Sequence, residues 1–179
     1  MHGRIWVESD EDRGSTFYFT FKTREASASE TSKASPVEFE KLNVLVVDDH
    51  QTARMVLVEL LSGLGVNCVQ AESGERALTM VQEHYQKGER FDVILMDWRM
   101  PNMDGIETAK AINFQLGQQA APGILLVSAF DKDEAQSLTD EAKLQGFLEK
   151  PVTANTLVAA LEQCLCGESH SVALAQEST

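Results

Sequence analysis

Residues 44–49 have the sequence VLVVDD, in which four apolar residues run directly into two aspartates. Two later stretches repeat this pattern: residues 93–96 precede Asp97, and residues 124–127 precede Ser128. A weaker version, Gly146-Phe147-Leu148-Glu149, precedes Lys150. Short continuous runs of Val, Ile and Leu are typical of strands buried on both faces of a parallel sheet. Ligands bind beyond the carboxyl ends of such strands, so we expect these polar residues to meet at one edge of one sheet.

The segments between these runs have helical spacing of apolar residues, which predicts alternating strands and helices. Strands are predicted at 43–48, 66–70, 92–97, 123–128 and 146–149. Helices are predicted after each of them: one through Ala53 to Leu64, one capped by Ser73, one opened by Asp104, a more polar one over 131–144 and one from Thr153. Five such units predict an α/β fold with a doubly wound, five-stranded parallel sheet and right-handed crossovers.

The beginning of the chain has a different character. Residues 1–23 contain two β-branched and aromatic runs around a polar turn, which predicts a β-hairpin. Residues 24–40 are rich in Ser, Thr and Ala and are expected to form a flexible linker, with Val37 and Phe39 docking onto the next domain. The main domain is assigned to residues 41–166, and residues 167–179 are expected to be a tail or a second linker.

Composition excludes several classes of function. The 179 residues carry 15 basic and 28 acidic side chains, a net charge of −13, which argues against binding to nucleic acid or to an anionic membrane. No apolar run approaches the roughly 20 residues of a membrane span, and the first residues lack a signal-peptide core. Three cysteines, an odd number, suggest reduced thiols and a cytosolic setting. The four histidines show no metal-ligand spacing, and Cys164-x-Cys166 is not expected to bind metal.

The polar residues at the strand ends define a chemistry. Asp48 and Asp49 are adjacent, and like charges held close repel each other unless a cation lies between them. Mg²⁺, a hard ion that carboxylates and phosphate oxygens bind, meets this requirement. Asp97 supplies a carboxylate that can attack phosphorus, while Lys150 and Ser128 can bind phosphoryl oxygens. The sequence therefore predicts a site for Mg²⁺ and a phosphoryl group, with one carboxylate left as nucleophile.

Four motifs together resemble the receiver domain of two-component signalling, with its flavodoxin-like (βα)5 fold, over about residues 42–166. They are Leu45-Val46-Val47-Asp48-Asp49, Leu95-Met96-Asp97-Trp98-Arg99-Met100-Pro101-x-Met103-Asp104-Gly105, Ser128-Ala129 and Lys150-Pro151. The resemblance implies that Asp97 is the phospho-acceptor. It also implies that Asp48, Asp49, Asp97 and the backbone carbonyl of Arg99 hold Mg²⁺.

The resemblance also assigns roles to the remaining site residues. Ser128 is implied as the switch hydroxyl that follows the phosphoryl group, and Lys150 as the ion-pairing lysine. A cis peptide bond before Pro151 is expected to aim Lys150 into the site. Phe147 takes the position of the switch aromatic residue, often Tyr in the family, so any signal it relays depends on packing alone.

The first residues resemble the C-terminal end of a histidine-kinase ATP-binding domain. The resemblance is carried by Gly3-Arg4-Ile5-Trp6-Val7-Glu8-Ser9 followed by Gly14-Ser15-Thr16-Phe17, with His2 and Asp12 in place of usual glycines. Together the two resemblances imply a fragment of a hybrid histidine kinase whose kinase core lies upstream. This chain is not expected to bind ATP or to act as a kinase by itself, because roughly twenty residues bury no core of their own.

The implied partners are the chain's own or a cognate histidine kinase domain, which donates a phosphoryl group, and a histidine phosphotransfer domain, which receives it. No nucleic acid and no direct membrane contact are expected, and the location is expected to be cytoplasmic whether or not the parent protein is membrane-anchored. Two alternatives stay open: a phosphohydrolase with an aspartyl-phosphate intermediate, and a receiver-like protein-binding module that is never phosphorylated. Arg99 counts against the first, since such enzymes usually carry an acid/base carboxylate two residues after the nucleophile.

Overall fold

The computed structural model describes residues 3–10, 14–21, 37–117, 120–129 and 142–166. They belong to two compact units, Met1–Ala34 and Ser35–Thr179. Most of the helix predicted over 131–144, most of the predicted linker and the C-terminal tail lie outside the described residues.

The N-terminal unit contains an antiparallel hairpin, as the sequence predicts. Strands β1 (Gly3–Asp10) and β2 (Gly14–Phe21) pair along their whole length. Trp6 pairs with Tyr18, and their rings stack with centroids 5.2 Å apart. The neighbouring pair Ile5 and Phe19 is exposed within this unit, at 75% and 68% of the residue surface.

The second unit is a doubly wound α/β domain, which confirms the predicted fold class. The five strands that the structure describes in it are parallel, in the order β4-β3-β5-β6-β7. Each strand begins and ends within one residue of its predicted bounds. The elements after a short 3-10 turn at Phe39–Lys41 are β3 (Asn43–Val47), α1 (Gln51–Gly63), β4 (Asn67–Ala71), α2 (Gly74–Gln86), β5 (Val93–Asp97), α3 (Gly105–Leu116), β6 (Gly123–Ser128), β7 (Gly146–Glu149) and α4 (Ala154–Cys166).

Local hydrogen bonds explain where two of the helices begin. The Ser73 hydroxyl accepts a hydrogen bond from the backbone N–H of Arg76 and so caps α2. Asp104 and Glu107 form a reciprocal capping box at the start of α3: the Asp104 carboxylate accepts from Glu107 N–H at 2.8 Å, and the Glu107 carboxylate accepts from Asp104 N–H at 3.2 Å. The start of α3 is thereby fixed a few residues beyond the end of β5.

The sheet is covered on both faces, which accounts for the continuous apolar runs of its strands. Leu45 and Val47 point into one apolar layer, beneath α2 and α3, whereas Val44 and Val46 point into the other, beneath α1 and α4. Val37 and Phe39 pack against the second layer, as expected from the sequence. Burial on both faces fixes each strand in register, so the residues at the strand ends are fixed as well.

The helices are short compared with a lipid bilayer. Of those that the structure describes, none is both long and apolar enough to cross a membrane.

Candidate functional site

Polar side chains are concentrated at the carboxyl edge of the sheet. Asp48 directly follows β3, Asp97 is the last residue of β5, and Ser128 is the last residue of β6. The strand register pairs Val47 with Met96 and Asp97 with Val127, so all three residues lie at nearly the same level. Their exposures are 0%, 7% and 6%, and the fourth buried polar residue in the described part of the chain is Thr108. Three of the four buried polar residues in the described part of the chain therefore lie at this edge.

Lys150 joins the two buried carboxylates. Its Nζ donates to Asp97 Oδ1 at 2.6 Å and to Asp48 Oδ2 at 3.1 Å, although 102 and 53 residues of chain separate it from Asp48 and Asp97 respectively. The backbone N–H of Lys150 donates to the carbonyl oxygen of Ser128 at 2.7 Å, which ties the loop after β7 to the end of β6. The peptide bond between Lys150 and Pro151 is cis, as predicted.

Burial and neighbouring charges shift the pKa values of Asp97 and Lys150 in this cluster. Burial raises the pKa of Asp97, with a further contribution from the neighbouring charges of Asp48 and Asp49, and the bond from Lys150 only partly opposes this rise. Burial by itself would lower the pKa of Lys150, but the hydrogen bond and charge of Asp97, followed by those of Asp48, outweigh it and raise that pKa. Lys150 is thus protonated at neutral pH, and its positive charge partly offsets the negative charges of Asp48 and Asp97.

The loop between β3 and α1 holds the other carboxylate. Asp48 Oδ1 accepts a hydrogen bond from the backbone N–H of His50 at 2.8 Å, and the Arg54 guanidinium donates to the Asp48 carbonyl oxygen at 2.6 Å. Asp49 is only partly buried, and its Oδ1 lies 2.9 Å from Nδ1 of His50. Asp48 is therefore held at both its side chain and its backbone, while the Asp49 side chain is the more exposed of the two.

The loop after β5 passes close beneath α3. The N–H of Gly105 donates to the Trp98 carbonyl oxygen at 2.8 Å, and a Cβ added at Gly105 would lie 2.3 Å from the Asp97 carbonyl oxygen. Only glycine permits this approach of the helix to the strand end. Arg99 is exposed, with its guanidinium 5.8 Å from the centre of the Trp98 ring. The metal-binding role of the Arg99 carbonyl stays a prediction.

Phe147 packs in an apolar layer of the domain. It belongs to β7, is half-buried and packs against the apolar layer beneath α2 and α3. Its partner in the sheet is Leu126, two residues before Ser128. The position is compatible with a ring that responds to its neighbours in β6, and the switch roles of Phe147 and Ser128 stay predictions.

The donor atoms of the site suit a hard divalent cation. Asp48, Asp49 and His50 each offer a ligand atom, and these atoms lie within 4.8 Å of one another. Asp97 adds a carboxylate that shares Lys150 with Asp48. Mg²⁺ is bound by one or two carboxylates together with waters and phosphate oxygens, so the residues present fit this ion.

Sequence reasoning missed two residues of the site. The spacing of the four histidines matches no metal motif and so gives no reason to expect His50 here, yet the turn before α1 brings its ring against Asp49. Arg54 sits one turn into α1 and reaches back to Asp48. Their nearness in sequence to the aspartates is a weak signal, since the first residues of a helix that follows a strand lie near the strand's carboxyl end. It does not show which side chains turn toward the aspartates.

The fold and this edge define the class: a flavodoxin-like domain with an acidic cluster and a lysine where its strands end. The sequence matches the family described as the response regulator receiver domain over residues 44–162. This chain belongs to that family.

Individual relatives agree with this assignment. The chemotaxis protein CheY-3 of Vibrio cholerae is 36% identical over 123 residues, which are 68% of this chain and 90% of that protein. The solved structure of Vibrio cholerae CheY4 is 31% identical, with a TM-score of 0.62 over 69% of this chain and 98% of that one. The receiver domain of the histidine kinase CKI1 from Arabidopsis thaliana, complexed with Mg²⁺, is 33% identical with a TM-score of 0.57, covering 68% of this chain and 94% of that one.

Proposed function

We propose that this chain is the phosphoryl-accepting receiver of a hybrid histidine kinase and acts in a two-component phosphorelay. The observation that carries the proposal is the bridge of Lys150 between Asp48 and Asp97, because it gathers two buried carboxylates and an ammonium at one point. Such a cluster is costly to bury, and it suits a site that receives a divalent cation and a phosphoryl group.

In the proposed reaction, a carboxylate oxygen of Asp97 attacks the phosphorus of a phosphohistidine. The P–N bond breaks, the imidazole leaves and an aspartyl phosphate forms. Lys150 pairs with one phosphoryl oxygen, and the Ser128 hydroxyl donates to another. Mg²⁺, held by Asp48, Asp49, Asp97 and the Arg99 carbonyl, would neutralise charge on the phosphoryl oxygens.

The output of this step is proposed to be a population shift. Movement of Ser128 toward the phosphoryl group lets Phe147 repack, since the two residues lie on neighbouring strands. The phosphoryl group then passes to a histidine phosphotransfer domain. The Mg²⁺ complex of a histidine-kinase receiver among the similar structures supports both the ion and the class of parent protein.

The proposed parent is a hybrid kinase because of the N-terminal unit. The hairpin β1–β2 carries the sequence that resembles the end of a kinase ATP-binding domain, and its exposed apolar pairs suit a piece of a larger sheet. The proposed organisation is a kinase remnant over 1–23, a linker over 24–40, the receiver over 41–166 and a tail or linker over 167–179. A cytoplasmic location is part of this proposal.

The test is phosphorylation by a small acyl phosphate with Mg²⁺, followed by intact mass. Wild type is expected to gain the mass of one phosphoryl group, and Asp97→Asn is expected to gain none. Asp92→Asn is a matched control just before the start of β5, where the carboxylate accepts a hydrogen bond from Asn43 N–H at 2.8 Å. Equal labelling of wild type and Asp97→Asn would refute the proposal. Rapid release of phosphate from a phosphate ester would instead indicate the phosphohydrolase, against which Arg99 counts.

A further inference from the structure

The register of strand β7 determines where Lys150 lies. This strand has four residues, Gly146–Glu149, and lies at the edge of the described sheet, beside β6. Only Leu148 of the four is fully buried, whereas β6 is buried from Ile124 to Ser128. Burial normally fixes the register of a strand, so β7 needs a further constraint.

A slip of β7 would separate Lys150 from the carboxylates. One residue of register moves a strand by about 3.3 Å and turns its side chains to the opposite face. Lys150 directly follows β7, and its Nζ lies 2.6 Å from Asp97 Oδ1 and 3.1 Å from Asp48 Oδ2. A displacement of this size exceeds what a hydrogen bond tolerates. The position of the ammonium therefore depends on the register of the strand.

Gln145, the residue before β7, supplies a constraint through two hydrogen bonds to one residue of β6. Its backbone N–H donates to the Ile124 carbonyl oxygen at 2.9 Å, and its side-chain Oε1 accepts from the Ile124 N–H at 2.5 Å. Ile124 is 0% exposed, and a buried N–H without a partner is costly. A slip that carried the Gln145 side chain away would leave this N–H unpaired.

The chain on both sides of this contact is held as well. Asn113 of α3 donates from Nδ2 to the Ala142 carbonyl oxygen at 2.9 Å, three residues before Gln145. At the other end of β7, the Lys150 N–H donates to the Ser128 carbonyl oxygen at 2.7 Å. The Gln145 side chain therefore pins the amino end of a strand whose carboxyl end is already tied to β6.

We propose that Gln145 is a positioning residue for Lys150: its side chain fixes the register of β7 on β6, and that register holds the Lys150 ammonium against Asp97 and Asp48. The chemical consequence rests on the proposed function, in which Lys150 pairs with a phosphoryl oxygen. The placement of Lys150 itself is measured without any phosphorylation.

The first test follows acetylation of the Lys150 amine by an N-hydroxysuccinimide ester at pH 8, on the full-length chain, by peptide mass spectrometry. Gln145→Met keeps the length of the side chain but replaces the carbonyl oxygen by a thioether, which is a weak acceptor. It should speed labelling of Lys150 about fivefold or more, because an amine that leaves its carboxylates loses its proton more readily. Gln145→Glu keeps an oxygen that accepts from the Ile124 N–H and should stay within about twofold of wild type.

The matched control is Gln115→Met, at an exposed amide of α3 whose Nε2 lies 3.4 Å from Gln82 Oε1. It should leave the labelling of Lys150 unchanged, and the exposed Lys87 serves as the internal standard in every variant. If circular dichroism shows that Gln145→Met does not fold, Gln145→Asn, which is one methylene too short to reach, takes its place with the same expectation. Unchanged labelling of Lys150, or equal acceleration in Gln145→Glu, would overturn the inference.

The second test asks whether Gln145 acts through Lys150. Gln145→Met should slow phosphorylation by an acyl phosphate at saturating Mg²⁺ about tenfold or more, since a misplacement of about 1 Å can cost about 10²-fold in rate. In a Lys150→Met background the same substitution should change the rate by less than about twofold, because the group that it positions is gone. Equal slowing in both backgrounds would contradict a positioning role.

The inference and the proposed function fail separately. If wild type gains no phosphoryl group while Gln145→Met still speeds the labelling of Lys150, the proposed function is wrong and the positioning of Lys150 stands. If wild type is phosphorylated and the labelling of Lys150 does not depend on Gln145, the inference is wrong and the proposed function stands.

Discussion

Replacing Lys150 by Met removes an ammonium that touches both buried carboxylates while keeping an apolar chain of similar length. Lys150 Nζ lies 2.6 Å from Asp97 Oδ1 and 3.1 Å from Asp48 Oδ2. At about 3 Å and an effective dielectric constant of about 20, each attraction is roughly 5 kcal/mol before desolvation is subtracted. Removing one partner of a buried ion pair costs about 3–5 kcal/mol. The Lys150 side chain is 34% exposed, so water replaces part of what is lost.

We therefore expect Lys150→Met to lower the free energy of unfolding by about 2–3 kcal/mol at neutral pH in the presence of a chelator, a large part of the roughly 5–15 kcal/mol of a typical domain. The assay is urea denaturation followed by circular dichroism. Saturating Mg²⁺ should recover much of the loss, because an ion bound by the carboxylates supplies positive charge and stabilises the folded state that binds it.

Lys87→Met, at an exposed lysine just after α2, is the matched control and should change stability by less than about 0.5 kcal/mol. A loss for Lys150→Met no larger than this, or a loss that Mg²⁺ leaves untouched, would refute the idea that Lys150 offsets a surplus of buried negative charge.

Three further outcomes are expected. The pKa of Asp97 is raised in the folded state, so ionisation of Asp97 lowers the free energy of unfolding as pH rises through that pKa. Asp97→Asn should therefore be more stable than wild type at pH 7 with chelator. This difference in stability should disappear at a pH below the ordinary pKa range of Asp. Unfolding curves that show no such difference at pH 7 contradict this. Gly105→Ala should lower the free energy of unfolding by about 1–3 kcal/mol, because the added Cβ would meet the Asp97 carbonyl oxygen. Gly63→Ala is the control, because a Cβ at that position would enter open space and should not destabilise the domain in the same urea assay. Cys164, whose pKa burial raises to about 11, should react with iodoacetamide far more slowly at pH 8 than the exposed Cys166, as peptide mass spectrometry would show; equal rates would contradict its burial.

The sheet was predictable from sequence because both of its faces are buried. Uninterrupted apolar runs such as 44–47 and 93–96 are typical of central strands in a parallel sheet. Helix starts were predictable where a side chain caps the backbone, as Ser73 and Asp104 do. The reciprocal contribution of Glu107 was not foreseen, since it depends on how the two side chains meet.

The site was predictable to the extent that its residues end strands. Asp48, Asp97, Ser128 and Lys150 occupy the expected edge because strand register carries them there. His50 and Arg54 escaped prediction because they act from the loop and first turns of α1, where side-chain direction rather than spacing decides the contact. Their types alone, a lone histidine and a lone arginine, carry no signal.

The claim that Asp97 accepts the phosphoryl group is tested most directly by locating that group. The chain would be phosphorylated with an acyl phosphate and Mg²⁺, then reduced with borohydride, which converts an aspartyl phosphate to homoserine, and digested for peptide mass spectrometry. The account predicts homoserine at position 97 and aspartate retained at positions 48, 49 and 92. Homoserine at another aspartate, with position 97 unchanged, would contradict it.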